Sequence, residues 1–288
     1  MERRQLEELN LLDDFLFQEL VSYGKEGEEF LKILLGTILG RRIEKVRVQA
    51  QKPLLGTDVA QHGIRMDAYI EDITEMDVKE VEIEPDIYDI EPNKVREKEV
   101  LPKKMRYYQA LIDTKILSTS ISYNNLRNVY TIMILPYDPF DKGRMVYTVK
   151  SMCVEDGTLT YEDGTRKIYL YTKGIVGIPS QKLKNLLQYF ENSTQENATD
   201  EDIQIIHAYV KKVKADQKVG VAYMKSWERE EMIRSEGREE GREEGREEEG
   251  VRINTLIIKL TELGRTDDIV KAASDREYQN TLFKEFGL

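Results

Sequence analysis

The chain has 288 residues, of which 40% are hydrophobic and 34% are charged, with a formal net charge of −11. This suffices for one large domain or two modest ones, and the acidic balance argues against a general nucleic-acid binder. The single cysteine, Cys153, excludes an internal disulfide and a thiolate metal site within one chain. Because there is no signal-peptide core and no apolar run of membrane-spanning length, we expect a cytoplasmic protein without a membrane segment.

The predicted elements of the first half follow the order helix, three strands, helix, strand, which indicates an α/β fold. Apolar residues at helical or alternating spacing predict helices over residues 8–38 and 94–117 and strands near 45–50, 63–71, 78–84 and 129–135. The last strand is a nearly continuous apolar run, which is typical of a strand buried on both faces. The buried stripe of the 94–117 helix is predicted to consist of Leu101, Met105, Tyr108, Leu111 and Ile112.

The second half is predicted to contain short strands over residues 144–171 and then mainly helices. Residues 236–250 repeat Gly-Arg-Glu-Glu without an apolar face, which predicts a solvated helix or a flexible spacer. These patterns divide the chain into a core at 1–175, a helical extension at 176–227, the charged repeat at 228–250 and a small helical segment at 251–288.

Strands 63–71 and 78–84 are predicted to pair as a hairpin that gathers carboxylates on one face. Asp67 lies on the polar face of the first strand, and Glu82 and Glu84 lie on that of the second. Like charges opposite each other destabilise a sheet. A divalent cation would turn that repulsion into coordination.

The distribution of charge around this hairpin changes sign abruptly. Residues 71–91 contain ten acidic residues and one basic residue, whereas residues 92–115 contain seven basic and three acidic ones. A cation site beside a phosphate-binding surface would have this pattern. A solvated acidic loop followed by a salt-bridged helix accounts for it equally well.

Five stretches with a consistent order and spacing carry a family resemblance. They are LDDFLF at 12–17, RMDAY at 65–69, VEIE at 81–84, RYYQALID at 106–113 and YDPFDKG at 137–143. Together with the C-terminal repeats they resemble the bacterial Rpn-type recombination-promoting nucleases, also described as PD-(D/E)XK nuclease family transposases. The resemblance implies a restriction-endonuclease-like αβββαβ core, a metal-binding Asp at Asp67, a strand Glu at Glu82 and a catalytic-site position for Gln109.

The chemistry expected of such a site is hydrolysis of a phosphodiester. Mg²⁺, or Mn²⁺ in its place, can neutralise the phosphate and activate a water when one or two carboxylates hold it. Asp67 and Glu82 are the predicted ligands, and the backbone carbonyl of Ile83 could add a third oxygen. Glu84 could hold a second metal or act as a base.

DNA is the predicted partner, with Lys103, Lys104 and Arg106 contacting backbone phosphates. The first hypothesis is therefore a Mg²⁺-dependent DNA endonuclease. The family usually has Gln or Lys where this chain has Glu84, so a catalytically degenerate fold that binds nucleic acid or protein stays open. A third hypothesis is an assembly protein, since the helical C-terminal region could form a homodimer.

Overall fold

The computed structural model describes residues 4–54, 64–73, 85–117 and 122–288. The chain is an α/β protein that divides into two compact units, Met1–Tyr223 and Met224–Leu288. The first unit contains a six-stranded mixed sheet and the second is helical. Among the helices of the described ranges, none has the length and apolar character needed to cross a membrane.

The regular elements follow in chain order. The strands are β1 (Val46–Leu54), β2 (Ile64–Asp72), β3 (Ile87–Pro92), β4 (Val129–Leu135), β5 (Val146–Val149) and β6 (Thr165–Tyr171). The helices are α1 (Asp14–Val21), α2 (Gly24–Leu39), α3 (Leu101–Ile116), α4 (Gln181–Glu191), α5 (Glu201–Ala215), α6 (Gln217–Glu262), α7 (Thr266–Ser274) and α8 (Arg276–Phe286). The predicted order of helix, three strands, helix and strand is therefore present.

The strand order across the sheet is β1-β2-β3-β4-β6-β5. β1, β2 and β3 are antiparallel neighbours, whereas β3, β4 and β6 run parallel and β5 is antiparallel to β6. The carboxyl ends of β3, β4 and β6 consequently meet at one end of the sheet. Ligands of open α/β sheets bind at such an end.

Helices cover both faces of the sheet. On one face, α1, α2, α4 and α5 share a single apolar cluster with alternate residues of β2, β3, β4 and β6. On the other face, α3 packs against the remaining alternate residues of the same strands. Because α4 and α5 belong to the main core, the segment predicted as a helical extension at 176–227 contributes to the first unit rather than standing apart from it.

Helix α3 confirms that a helix follows the acidic segment, although it begins at Leu101 rather than at residue 94. All five residues of its predicted stripe are buried, and Pro102 lies in the first turn. A proline is tolerated there because the first turn has no intrahelical partner for a backbone N–H. It therefore begins the helix rather than splitting it.

The partner of β2 differs from the predicted hairpin. β2 already pairs with β1 on one side and with β3 on the other, from Ala68 to Glu71. The antiparallel strand after Asp67 is therefore Ile87–Pro92, which begins two residues after Pro85 and ends on a proline. The predicted strand 78–84 lies outside the described residues.

The second unit has its own small core. The distal end of α6 packs with α7 and α8 through Leu256, Leu260, Ala272, Leu282 and Phe283. The Gly-Arg-Glu-Glu repeat lies within α6, a continuous helix of 46 residues, so of the two predicted alternatives it is helix. The proposed role of this region in a homodimer stays a prediction.

Candidate metal centre

Three carboxylates from two adjacent strands meet on the α3 face of the sheet. Tyr69 pairs with Asp89 and Ala68 with Ile90, which places Asp67 opposite Glu91 one position further along. Asp89 and Glu91 are two residues apart on β3 and so share a face. The Cβ atoms of directly opposite residues, such as Asp67 and Glu91, lie about 4.5–5.5 Å apart, and diagonal neighbours, such as Asp67 and Asp89, lie up to about 7–8 Å apart.

These carboxylates are withdrawn from water. The exposed fraction is 9% for Asp67, 1% for Asp89 and 5% for Glu91. Within the described residues, both carboxylate oxygens of Asp89 lack a hydrogen-bond partner, and so does Oε1 of Glu91. Buried carboxylates without partners are costly, because the desolvation penalty of the charge is not offset.

A fourth buried polar atom without a partner lies next to them. Thr131 on β4 pairs directly with Asp89, and its side chain is 1% exposed. Its Oγ1 has no hydrogen-bond partner among the described residues. Native structures rarely leave such atoms unsatisfied, so a cluster of them points to a bound ion or water.

The burial of the cluster raises the pKa of each carboxyl. Burial raises the pKa of Asp67 to about 7, and the nearby charge of Asp14 adds to the effect. Burial also raises the pKa of Asp89 well above its ordinary value, with a contribution from the charge of Asp67. The pKa of Glu91 is raised well above its ordinary value by burial and then by the charges of Asp89 and Asp67. A cation would therefore favour the ionised form of all three.

Helices α1 and α3 supply the polar groups that touch the cluster. The Gln18 side-chain amide on α1 donates a hydrogen bond of 2.6 Å from Nε2 to Oδ1 of Asp67. Lys104 on α3 places its Nζ 3.9 Å from Oε2 of Glu91. Burial raises the pKa of Tyr108, and the charge of Glu91 and a hydrogen bond to that carboxylate contribute. The cluster thus combines buried acids with one nearby cation.

The sequence-predicted residues fall into separate groups in the structure. Asp67 belongs to the cluster, and Lys104 lies beside it rather than on an open phosphate-binding surface. Lys103 and Arg106 are exposed on α3. Gln109 is turned elsewhere, since its Oε1 accepts a hydrogen bond of 3.1 Å from Lys167 on β6.

The remaining predicted residues, Glu82, Ile83 and Glu84, lie outside the described residues, so their roles stay predictions. In the structure the residue opposite Asp67 on the neighbouring strand is Glu91. The carboxylate of Asp13, near the N-terminus, forms ion pairs through Oδ1 with Nη1 of Arg4 at 2.8 Å and with Nζ of Lys94 at 2.5 Å. It therefore has partners of its own outside the cluster.

Sequence reasoning missed Asp89, Glu91 and Thr131, and it gave no role to Gln18. A signal for the first two existed, because Tyr88-Asp89-Ile90-Glu91 alternates apolar and acidic residues as a half-buried strand does. The flanking prolines, Pro85 and Pro92, concealed it. Pro92 is tolerated because it is the last residue of β3, and the ladder continues through the N–H of the next residue.

The carboxylate oxygens of the cluster fit a hard divalent cation that takes its remaining ligands from water or substrate. In the ranges that the structure describes, no group of three or more His, Cys, Asp or Glu residues is placed to hold a metal ion by itself. Mg²⁺ does not require one, since it commonly binds one or two carboxylates together with waters and substrate phosphate oxygens. Asp67 and Asp89 are the carboxylates that could hold it.

The comparisons with known proteins add no relative. No protein-family model matches the chain, and no curated protein or solved structure does.

Proposed function

We propose that this protein is a Mg²⁺-dependent DNA endonuclease of the recombination-promoting nuclease or transposase type that its sequence resembles. The observation that carries the proposal is the buried and unpaired carboxylate of Asp89. Its carboxylate is 1% exposed and both of its oxygens lack a partner among the described residues. Such a costly group is expected at a site that binds a cation, because functional sites tolerate local destabilisation.

The fold supports a revised assignment of the family motif. The succession of α1 and α2, the antiparallel strands β1 to β3, α3 and β4 supports the αβββαβ core that the resemblance implies. In this assignment the strand Glu is Glu91 rather than Glu82. The residue two positions later is then Asn93, an amide like the Gln that the family usually has there.

In this proposal, Asp67 and Asp89 would hold the cation beside the scissile phosphate. A bound Mg²⁺ would neutralise charge on the phosphate and lower the pKa of a water. Glu91 can take a proton from the attacking water on Oε1, since burial raises the pKa of its carboxyl well above the ordinary value. Lys104, 3.9 Å from Glu91, offsets part of the negative charge when the metal is absent.

The segment that begins at the end of β3 and includes α3 has a charge suitable for a nucleic-acid backbone. Residues 92–150 contain eleven basic and five acidic residues, against the net charge of −11 for the whole chain. Lys103 and Arg106 are exposed on α3. Each such cation can replace a counterion at a DNA phosphate.

One observation favours the alternative, a degenerate nuclease fold that binds without cutting. The side chain of Asn93 is 8% exposed, and its Oδ1 accepts a hydrogen bond of 2.9 Å from the backbone N–H of Val95. Its amide is therefore committed to the local turn. A Gln or Lys at this position could reach further toward the substrate.

Plasmid cleavage separates the two. Purified protein is incubated with supercoiled DNA in Mg²⁺, Mn²⁺ or EDTA, beside Asp67→Ala, Asp89→Asn and Glu91→Gln. We expect metal-dependent nicking that falls by at least about a hundredfold in each variant, since each removes a group from the reaction centre. The matched control is Glu82→Ala. If it abolishes cleavage while the Asp89 and Glu91 variants remain active, the original assignment is right and the revised one is wrong.

A further inference from the structure

Glu91 is held at one carboxylate oxygen and lacks a partner at the other. Nζ of Lys104 lies 3.9 Å from Oε2, and the Tyr108 hydroxyl and the backbone N–H of Asp67 hydrogen-bond to the same carboxylate. Oε1 is buried and has no hydrogen-bond partner in the part of the chain that the structure describes. The contacts therefore fall on Oε2, and Oε1 is the oxygen that can accept a proton.

Lys104 and Tyr108 approach Glu91 from one face of α3. Residues four positions apart on a helix are neighbours on its surface, and Nζ of Lys104 lies 5.5 Å from the ring centre of Tyr108. The side chain of Lys104 is 28% exposed and Tyr108 is 9% exposed, so both are largely withdrawn from solvent. An ammonium and a hydroxyl thus converge on a single carboxylate.

Apolar residues anchor α3 to the sheet on both sides of this pair. Leu101 and Met105 belong to one buried cluster with strand residues, and Leu111 and Ile112 belong to another. A helix packed at both ends cannot shift along the sheet without disrupting these contacts. The two polar side chains are therefore carried by a fixed element, as the geometry of a reaction centre requires.

The surroundings of Lys104 differ from those of the other basic residues predicted to contact DNA. Lys103 and Arg106 are exposed on α3. Burial raises the pKa of all three carboxyls of the cluster, and the positive charge of Lys104 opposes that rise at each of them. An ammonium that interacts with buried carboxylates is poorly placed to replace a counterion at a DNA phosphate.

We propose that Lys104 and Tyr108 are positioning residues, which hold Glu91 by Oε2 and keep Oε1 available to accept a proton. The inference rests on the proposed function for the reaction that Glu91 serves, whereas the contacts themselves need neither metal nor DNA. A base that is already oriented loses no rotational freedom when the water arrives. Loss of such an outer contact commonly reduces activity by about 10–100-fold.

A double-mutant cycle tests the contacts without metal or DNA. Urea unfolding in EDTA is measured for Lys104→Gln and Tyr108→Phe, in the wild type and in Glu91→Ala. Each substitution should lower the urea midpoint of the wild type, because it removes a partner of a buried carboxylate, and should change that of Glu91→Ala by about half as much or less. Glu91→Gln, which removes only the charge, repeats the Lys104 half of the cycle.

Two matched substitutions control for the loss of a charge and of a hydroxyl. Lys115→Gln removes an exposed lysine from the same helix, and Tyr123→Phe removes the hydroxyl of a tyrosine that is 81% exposed. Both should change the urea midpoint equally in the two backgrounds. If Lys104→Gln and Tyr108→Phe also give equal changes, neither residue acts on Glu91 and the proposal is wrong.

Cleavage kinetics in Mg²⁺ test the consequence for the reaction. Lys104→Gln and Tyr108→Phe should each lower kcat by about 10–100-fold, while KM and the Kd for DNA, measured by fluorescence anisotropy in EDTA, stay within about twofold. Lys104→Arg keeps the positive charge and should keep kcat within about fivefold of the wild type. Lys115→Gln should leave kcat unchanged.

The outcomes separate this inference from the proposed function. A raised KM with unchanged kcat, and a salt slope for DNA binding reduced by about 1, would make Lys104 a phosphate contact and overturn its positioning role. Cleavage by the wild type without coupling in the cycle would overturn the positioning and leave the proposed function intact. Coupling in the cycle, with no cleavage by the wild type in any metal, would support the positioning of Glu91 and overturn the proposed function.

Discussion

The replacement of Asp89 by Asn should stabilise the metal-free protein. Asp89 is 1% exposed, and its carboxylate oxygens have no hydrogen-bond partner within the described residues. The metal-free fold must either bury its charge or keep it protonated near neutral pH, and both reduce the free energy of unfolding. An amide of nearly the same shape removes this cost and can donate hydrogen bonds to Asp67 and Glu91.

The expected magnitude follows from the unsatisfied group. Leaving a buried polar group without a partner costs about 1–3 kcal/mol, and more when it is charged, so we expect a gain of about 2 kcal/mol in the free energy of unfolding. For a unit of this size 1 kcal/mol shifts Tm by about 2–4 °C, which predicts a rise of about 4–8 °C in EDTA. Differential scanning calorimetry is suitable because it can separate the transitions of the two units.

The matched control is Asp138→Asn. The carboxylate of Asp138 accepts hydrogen bonds from the Tyr147 hydroxyl at 2.7 Å and from the Phe140 N–H at 3.0 Å, and it also accepts one from the Gly143 N–H. An amide has one acceptor oxygen in place of two, so this variant should lose about 1 kcal/mol or more.

Added Mg²⁺ provides the opposite comparison. A ligand at a hundred times its Kd stabilises the folded state by about 2.7 kcal/mol, so saturating Mg²⁺ should raise the Tm of the wild type and leave Asp89→Asn almost unchanged. The reasoning is refuted if Asp89→Asn unfolds below the wild type in EDTA. It is equally refuted if Mg²⁺ stabilises both proteins by the same amount.

Three further predictions concern other parts of the first unit. Gly174→Ala places a Cβ 2.3 Å from a main-chain carbon and should lower the free energy of unfolding by about 1–3 kcal/mol, as overpacking does. Gly220→Ala has open space around the new Cβ and should raise the free energy of unfolding by about 0.5–1 kcal/mol. Urea unfolding of both variants tests this pair. Burial lowers the pKa of His207 below its ordinary 6.5, and nearby lysines lower it further. The unfolded chain therefore takes up the proton first, and stability should fall as the pH drops below about 6.5. The urea midpoint should change less between pH 7.5 and 5.5 in His207→Gln than in the wild type, and an equal change in both proteins would contradict this prediction. Lys103→Gln/Arg106→Gln should reduce the slope of log K against log salt for DNA binding by about 2 in a fluorescence-anisotropy titration, and an unchanged slope would remove α3 from the interface.

Much of the fold could be predicted because its segments carry strong periodic patterns. The run that became β4 and the stripe of α3 are examples, since burial on one or both faces requires apolar residues at fixed spacing. β1 extends further than the predicted 45–50, because strand ends depend on pairing with β2 rather than on local pattern. The predicted division at 175 does not coincide with the boundary between the two compact units, because the apolar faces of α4 and α5 pack into the core of the first.

The candidate site could be predicted only in part. The alternation of its strand placed Asp67 on the polar face, and the resemblance implied its role as a metal ligand. Asp89 and Glu91 were not identified, since Pro85 and Pro92 obscure the local pattern, and only the pairing of β3 with both neighbours reveals that the segment is a strand. The contact from Gln18 joins residues 49 positions apart, and no local pattern encodes it.

The position of β3 between β2 and β4 has a consequence for how the protein would lose activity. A strand paired on both sides exchanges its backbone hydrogens only when much of the sheet opens, so the amides of Tyr88 to Glu91 should be among the slowest in the molecule. Two of the three carboxylates are therefore carried by one of the last segments to become accessible. Heating or destabilising substitutions should then reduce the fraction of competent molecules, while each molecule that is still folded keeps its reaction centre in place.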